Sequence, residues 1–155
     1  MVIRFLWPGK TKNKQVRDLQ NRYFRKLSRL EKCELIESKE AKGLAERNSR
    51  KIKKIEAENL EKHLKDDYII CLSDKGEEMT SLDLARFLEK LALDSHRAAA
   101  FVLGGYLGLE DSFVKKADFL LCLSKMTFSH ELTRIMLLEQ IYRALTLIKG
   151  RAYAK

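Results

Sequence analysis

A chain of 155 residues with 45 % hydrophobic and 34 % charged residues, one Pro and seven Gly has the makeup of a single globular domain with one sizeable core. That balance excludes a disordered, collagen-like or low-complexity chain. No apolar run reaches spanning length, and the opening MVIRFLWPGK is too short and too soon interrupted for a signal peptide, so a soluble, cytoplasmic protein with no membrane association is expected. The net charge of +9 is unevenly placed: residues 1–66 hold 19 Lys+Arg against 10 Asp+Glu, and residues 67–155 hold 12 against 12. A polyanionic partner and a merely solvated basic face are equally consistent with that asymmetry. Cys33, Cys71 and Cys122 lie in or beside apolar runs with no metal-like spacing, which predicts buried thiols, no disulfide and no metal site.

In chain order, Val2 to Trp7 reads as a first strand ended by Pro8-Gly9. Lys10, Lys12 and Lys14 follow in a loop. From Asn13 a helix is expected with Val16, Leu19, Tyr23 and Leu27 on one face; Lys14, Arg17, Arg22, Arg25, Lys26 and Arg29 then give it the densest positive surface. Cys33 to Glu37 is a short strand. Leu44 to Lys65 is expected to be a long helix on propensity, carrying the Arg50, Lys51, Lys53, Lys54 cluster. Tyr68 to Leu72 is a continuous apolar strand of the kind buried on both faces of a parallel sheet, followed by a loop around Gly76. Ser81 is the expected cap of the next helix, whose Leu84, Phe87, Leu88 and Leu91 form a core-facing stripe. Ala98 to Leu103 and Ala117 to Ser124 are the last two strands. The final helix runs from about His130 to Lys149, capped by Ser129, and its apolar residues leave no broad polar face. A homodimer through this helix is the inference.

Five apolar runs interleaved with helical patterns indicate an α/β domain whose mainly parallel sheet is flanked by helices. Ligands in such sheets bind beyond the carboxyl ends of the strands. Here those ends are Leu72-Ser73, Leu103-Gly104-Gly105 and Leu123-Ser124, which predicts one pocket. Gly104-Gly105-Tyr106-Leu107-Gly108 is neither a Walker A loop nor a G-x-G-x-x-G motif, and Glu110 and Asp111 stand where a phosphate would use the next helix's positive end. A cofactor without phosphate fits, and a plain strand-to-helix turn fits equally. His130 is either a base or a structural hydrogen-bonding residue, and Glu139 and Arg143 are spaced either to pair on the helix or to contact the second subunit or a substrate.

The stretches FVLGGYLGL, LSKMTFSHELTR and LLEQIYRA, with a tail around Tyr153 and with VIRFLWPGK and KDDYIICLSDKG upstream, resemble the RlmH family of ribosomal RNA methyltransferases. These are minimal SPOUT-class enzymes that methylate ring nitrogen 3 of a pseudouridine in large-subunit (23S) ribosomal RNA. The resemblance implies a homodimer, a trefoil knot in the C-terminal part, S-adenosyl-L-methionine as cofactor, and ribosomal RNA within the assembled ribosome as partner. It carries cofactor contacts to Leu72, to Gly104 and Gly105, and to Leu123, Ser124, Lys125, Met126, Thr127 and Phe128; Leu103 and Gly108 join them as cofactor candidates from the strand-end glycine loop. Tyr153, Arg143 and His130 are the implied catalytic candidates. The tail departs from the family's His-Pro-Tyr-His-like ending and keeps only Tyr153; Ser73, Glu77 and Ser129 also differ from the family's usual Asp, Lys and Pro. A knotted RNA-binding dimer without methyl transfer is the alternative reading of those departures.

Overall fold

The computed structural model describes residues 1–94 and 97–150. Its strands are β1 (Val2–Pro8), β2 (Lys32–Ser38), β3 (Tyr68–Glu78), β4 (Ala99–Val102) and β5 (Phe119–Cys122); its helices are α1 (Lys14–Ser28), α2 (Ser49–Glu61), α3 (Ser81–Asp94), α4 (Asp111–Val114) and α5 (His130–Ile148). The five strands form one sheet in the order β2-β1-β4-β3-β5, and every pairing is parallel. The expected α/β class with flanking helices is therefore observed.

The sheet has a core on each face because side chains alternate along every strand. Ile3, Phe5, Trp7, Ile70, Ala99, Phe101 and Leu103 join Leu27 of α1, Leu84 and Leu88 of α3 and the inner residues of α5 in one cluster. Leu6, Cys71, Ala100 and Val102 turn to the other face and pack on Ala57 and Leu60 of α2 and Phe113. Fully burying one such Leu or Phe contributes about 1.5–3 kcal/mol. Cys71 and Cys122 are buried, while Cys33, expected to be buried, is half-buried on the edge strand β2.

Four expectations need correction. β3 does not stop at Leu72: Leu72 and Glu77 both register with Leu121 of β5, so residues 73–76 bulge out and the strand resumes where a loop was expected. Gly76 makes this possible, because a Cβ there would stand 2.6 Å from the Leu120 carbonyl oxygen. The helix expected from Leu44 begins at Ser49, after a single 3-10 turn at Glu46–Asn48 that has no side-chain cap. On α1, Leu19 is exposed and Gln20 is buried, because the Thr11 hydroxyl donates to Gln20 Oε1 at 2.5 Å and removes the cost of burying an amide. The cap of α3 is Thr80: its hydroxyl accepts from the Asp83 N–H at 3.1 Å, while the Asp83 carboxylate accepts from the Thr80 N–H at 3.3 Å, a reciprocal capping box. Ser81 instead donates to Gln140 Oε1 on α5 at 2.6 Å.

The apolar pattern of α5 has a largely internal explanation. This helix lies between α1 and α3 on the sheet, so Leu137, Leu138, Ile141, Ala144 and Leu145 are buried within the chain, while Leu132 and Leu147 stay exposed. Pattern alone therefore does not require a second copy. The helix is no membrane span either: among the described residues no helix is long and apolar enough to cross a membrane.

Candidate functional site

β4, β3 and β5 are neighbours in the sheet, so the predicted cofactor segments Leu103–Gly108, Leu72 and Leu123–Phe128 emerge side by side along one edge. Leu72, Leu123 and Phe128 are half-buried, Lys125, Met126 and Thr127 exposed. The 123–128 loop is tied locally: the Ser124 hydroxyl accepts from the Met126 N–H at 3.0 Å, and Lys125 Nζ donates to the Asp74 carbonyl at 3.1 Å across to the β3 bulge. Gly104 is locked against the far side of its own loop; a Cβ would stand 2.3 Å from the Gly108 carbonyl carbon. Gly108 itself has φ +80 with open space around it, a left-handed conformation that costs a side chain-bearing residue about 1–2 kcal/mol. Gly105 and Gly108 pair as an antiparallel bridge. The next helix is N-capped by Glu110, whose carboxylate accepts from the Phe113 N–H at 3.3 Å. A carboxylate thus occupies the position a phosphate would take. Backbone groups and apolar walls without a cation cluster fit the adenine and methionine parts of S-adenosyl-L-methionine, so the donor set is compatible with that cofactor.

A cavity lies one strand further along, beyond the carboxyl ends of β1 and β4. It measures about 640 Å³ and is lined by Pro8, Lys12, Glu40, Glu56, Gly105 and His130 among others. Of the predicted residues that are described, only Gly105 and His130 reach it. Glu40 and Glu56 were not legible as site residues, because they lie far from the glycine loop in sequence and carry no motif. Beneath this region Arg134, 1 % exposed, donates to the Pro8 carbonyl at 2.7 Å and to the Thr11 hydroxyl at 3.0 Å. Its guanidinium stands 5.0 Å from the Trp7 ring centroid, within cation–π range. Arg134 Nε and Trp7 Nε1 are buried without a hydrogen-bond partner among the described residues.

His130 opens α5 and is half-buried. Burial, with the Arg134 charge second, holds its pKa below the usual histidine value, so the imidazole is neutral at pH 7. Glu131 accepts from the Lys12 N–H at 3.1 Å and the Asn13 N–H at 3.0 Å. Burial would raise its pKa, but these hydrogen bonds outweigh it and hold the carboxyl below its usual value. Ser129 caps α5 as expected, accepting from the Leu132 N–H at 3.3 Å. Arg143 pairs with Glu139 at 3.1 Å, as its spacing predicted. His130 and Arg143 are thirteen positions apart on α5, roughly 20 Å at helical rise, so one chain does not bring these two candidates together. Tyr153 lies outside the described residues. Among the described residues no three His, Cys, Asp or Glu side chains gather as metal ligands.

Residues 1–154 match the family described as predicted SPOUT methyltransferase. The chain belongs to that family. It is 40 % identical over the whole of both chains to ribosomal RNA large subunit methyltransferase H of Ruminiclostridium cellulolyticum, and 36 % identical, again over both full lengths, to the protein of the same name from Clostridium beijerinckii. Solved structures share the SPOUT fold at low identity. A probable methylase family protein from Haemophilus influenzae Rd KW20 superimposes with a TM-score of 0.55 at 15 % identity, covering 99 % of this chain and 70 % of its own. A probable methyltransferase from Bordetella pertussis Tohama I gives 0.54 at 12 % identity, with coverages of 92 % and 95 %.

Proposed function

We propose that this SPOUT-family chain is an S-adenosyl-L-methionine-dependent methyltransferase that modifies ring nitrogen 3 of a pseudouridine in 23S ribosomal RNA, acting in the cytoplasm on assembled ribosomes. The observation that carries it is the full-length identity to relatives named ribosomal RNA large subunit methyltransferase H. S-adenosyl-L-methionine supplies an electrophilic methyl group when bound. Leu72, Leu103, Gly104, Gly105, Gly108 and the run Leu123, Ser124, Lys125, Met126, Thr127 and Phe128 hold it, through backbone groups and apolar walls, within a trefoil-knotted C-terminal part. Alignment of donor and acceptor is the main catalytic contribution.

Lys14, Arg17, Arg22, Arg25, Lys26 and Arg29 are all exposed on α1 and its C-terminal cap, and they contact phosphates while the shape of the ribosome supplies specificity. The protein works as a homodimer through α5, where Leu132 and Leu147 stay exposed at 45 % and 42 %. A second copy also answers the separation of His130 from Arg143 and places Arg143 and Tyr153 near the target base.

The test is transfer of labelled methyl from S-adenosyl-L-methionine to assembled ribosomes lacking the modification, with the product nucleoside identified by mass spectrometry. Methyl on ring nitrogen 3 of pseudouridine is the expected result. Cofactor binding without transfer would refute the enzymatic reading and favour an RNA-binding dimer whose altered tail has lost the reaction.

A further inference from the structure

An imide nitrogen is a poor nucleophile while it keeps its proton, because its lone pair is delocalised into two carbonyl groups. A methyltransferase of the proposed kind therefore needs a base within hydrogen-bond reach of the reacting nitrogen. The predicted residues supply no clear one. Glu131 is tied to two backbone N–H groups, and His130 is made less basic by its surroundings.

Glu56 has the better geometry. It projects from α2, is 6 % exposed and lines the 640 Å³ cavity. Its Oε2 lies 2.9 Å from where a Cβ on Gly105 would stand, so the carboxyl sits against a loop assigned to the cofactor. A glycine at 105 is what lets it come that close. The cavity has room for a nucleobase and opens to solvent. We propose that Glu56 is the general base that removes the proton from ring nitrogen 3 of the target base. In this step the N–H bond breaks and its electron pair stays on nitrogen. An O–H bond forms on the Glu56 carboxylate, which later returns its proton to water through the cavity mouth. The inference rests on the proposed methyltransferase reading.

The electrostatics are consistent with that geometry. Burial raises the Glu56 pKa, a hydrogen bond from the Ala41 N–H opposes it, Glu40 adds to the rise and Arg134 subtracts from it. A raised carboxyl pKa makes a stronger base of the ionised form. The charged groups facing the cavity from the neighbouring elements are Lys12, Glu40, Lys42, His130 and Glu131, with Arg134 beneath it.

The test compares wild type with Glu56→Gln, which keeps the side chain's shape and an acceptor for the Ala41 N–H. Single-turnover methyl transfer to unmodified ribosomes is followed across pH. Calorimetric binding of S-adenosylhomocysteine and carbon-13 NMR titration of the Glu56 carboxyl are measured alongside. General-base catalysis predicts a rate loss of about 100-fold or more in E56Q, with S-adenosylhomocysteine affinity unchanged. The residual rate should climb with pH as the imide ionises unaided, and Glu56→Asp should recover part of the activity. The acid limb of the wild-type profile should coincide with the NMR midpoint of the Glu56 carboxyl. Unchanged turnover in E56Q, an equal loss at every pH, or lost S-adenosylhomocysteine binding would each overturn the assignment and leave the family reading standing. An inactive wild type with intact cofactor binding would instead overturn the reading beneath it.

Discussion

Replacing Arg134 by Met removes a buried guanidinium while roughly keeping chain length and apolar volume. The variant loses the donors to the Pro8 carbonyl and the Thr11 hydroxyl, each worth about 1.5–3 kcal/mol as a charge-assisted hydrogen bond. It also loses the cation–π contact to Trp7, worth up to about 2 kcal/mol. Against this, the cost of desolvating the guanidinium disappears, a relief of several kcal/mol. The Pro8 carbonyl is then left buried without its donor, and Glu131, Glu37, Glu40 and Glu56 lose the positive charge they share. The net expectation is a loss of about 3 kcal/mol, what remains of two charge-assisted hydrogen bonds and the ring contact after the desolvation relief. At this chain length that lowers the melting temperature by about 6–12 °C. Urea unfolding followed by tryptophan fluorescence measures it directly, because Trp7 is the chain's single tryptophan and lies under the guanidinium. Arg134→Lys keeps the charge but not the fork, so it should fall between the two. A shift under about 0.5 kcal/mol for R134M, the level of an ordinary surface substitution, would refute the account of Arg134 as the post that fixes the β1 end of the cavity.

Gly104→Ala should destabilise by more than Gly108→Ala, because its Cβ meets backbone at 2.3 Å while the Gly108 Cβ meets open space; G108A should cost only about 1–2 kcal/mol for its left-handed φ, and urea unfolding of the pair tests the order. Glu131→Gln should lower stability by about 1 kcal/mol near neutral pH. The Glu131 pKa is depressed on folding, so its stabilisation is present above the unfolded value of about 4.3 and fades as pH falls through the lower folded value. The difference between E131Q and wild type should therefore shrink on acidification, and a gap that widens at low pH would count against the hydrogen bonds to Lys12 and Asn13. Cys33 and Cys71 thiols are both pushed up to about 12, by burial first and for Cys33 also by Glu31. Both should resist iodoacetamide at pH 8 in the native protein and react only on unfolding, as read by mass spectrometry.

Much of the architecture was legible because buried parallel strands announce themselves. YIICL reads as a strand covered on both faces and AAAFV as another strand, and their spacing by helical patterns pointed to a parallel sheet. Local capping chemistry was readable at Ser129, while the cap of α3 fell one residue earlier than expected. What escaped the sequence was set by tertiary contact. Thr11 makes Gln20 a core residue, and the resumption of β3 after Leu72 depends on a partner strand more than forty residues later. The candidate site divided the same way. The glycine loop and the turn after Leu123 carry their own turn chemistry, so loops at those strand ends were expected from the sequence. Glu56 could not, because it is one of several glutamates on a charged helix and only the fold puts it beside Gly105. The apolar pattern of α5 was read as one face on its own sheet and a remainder needing a partner; α1 and α3 cover part of that remainder, which pattern alone did not reveal.

The place of β1 bears on how such a chain can be cut and recombined. Its residues pair on one side with β2 and on the other with β4, Ile3 meeting both Cys33 and Ala99. The most basic stretch, residues 1–66, therefore hangs from a strand whose second neighbour is encoded in the other half. A gene fragment ending there would carry the positive side chains to a new host, but it would leave β1 with an open hydrogen-bonding edge and α1 without α5 to lie on. Charge and chemistry in this fold are inherited together, so variation in what the basic surface grips must come residue by residue and not by exchange of modules.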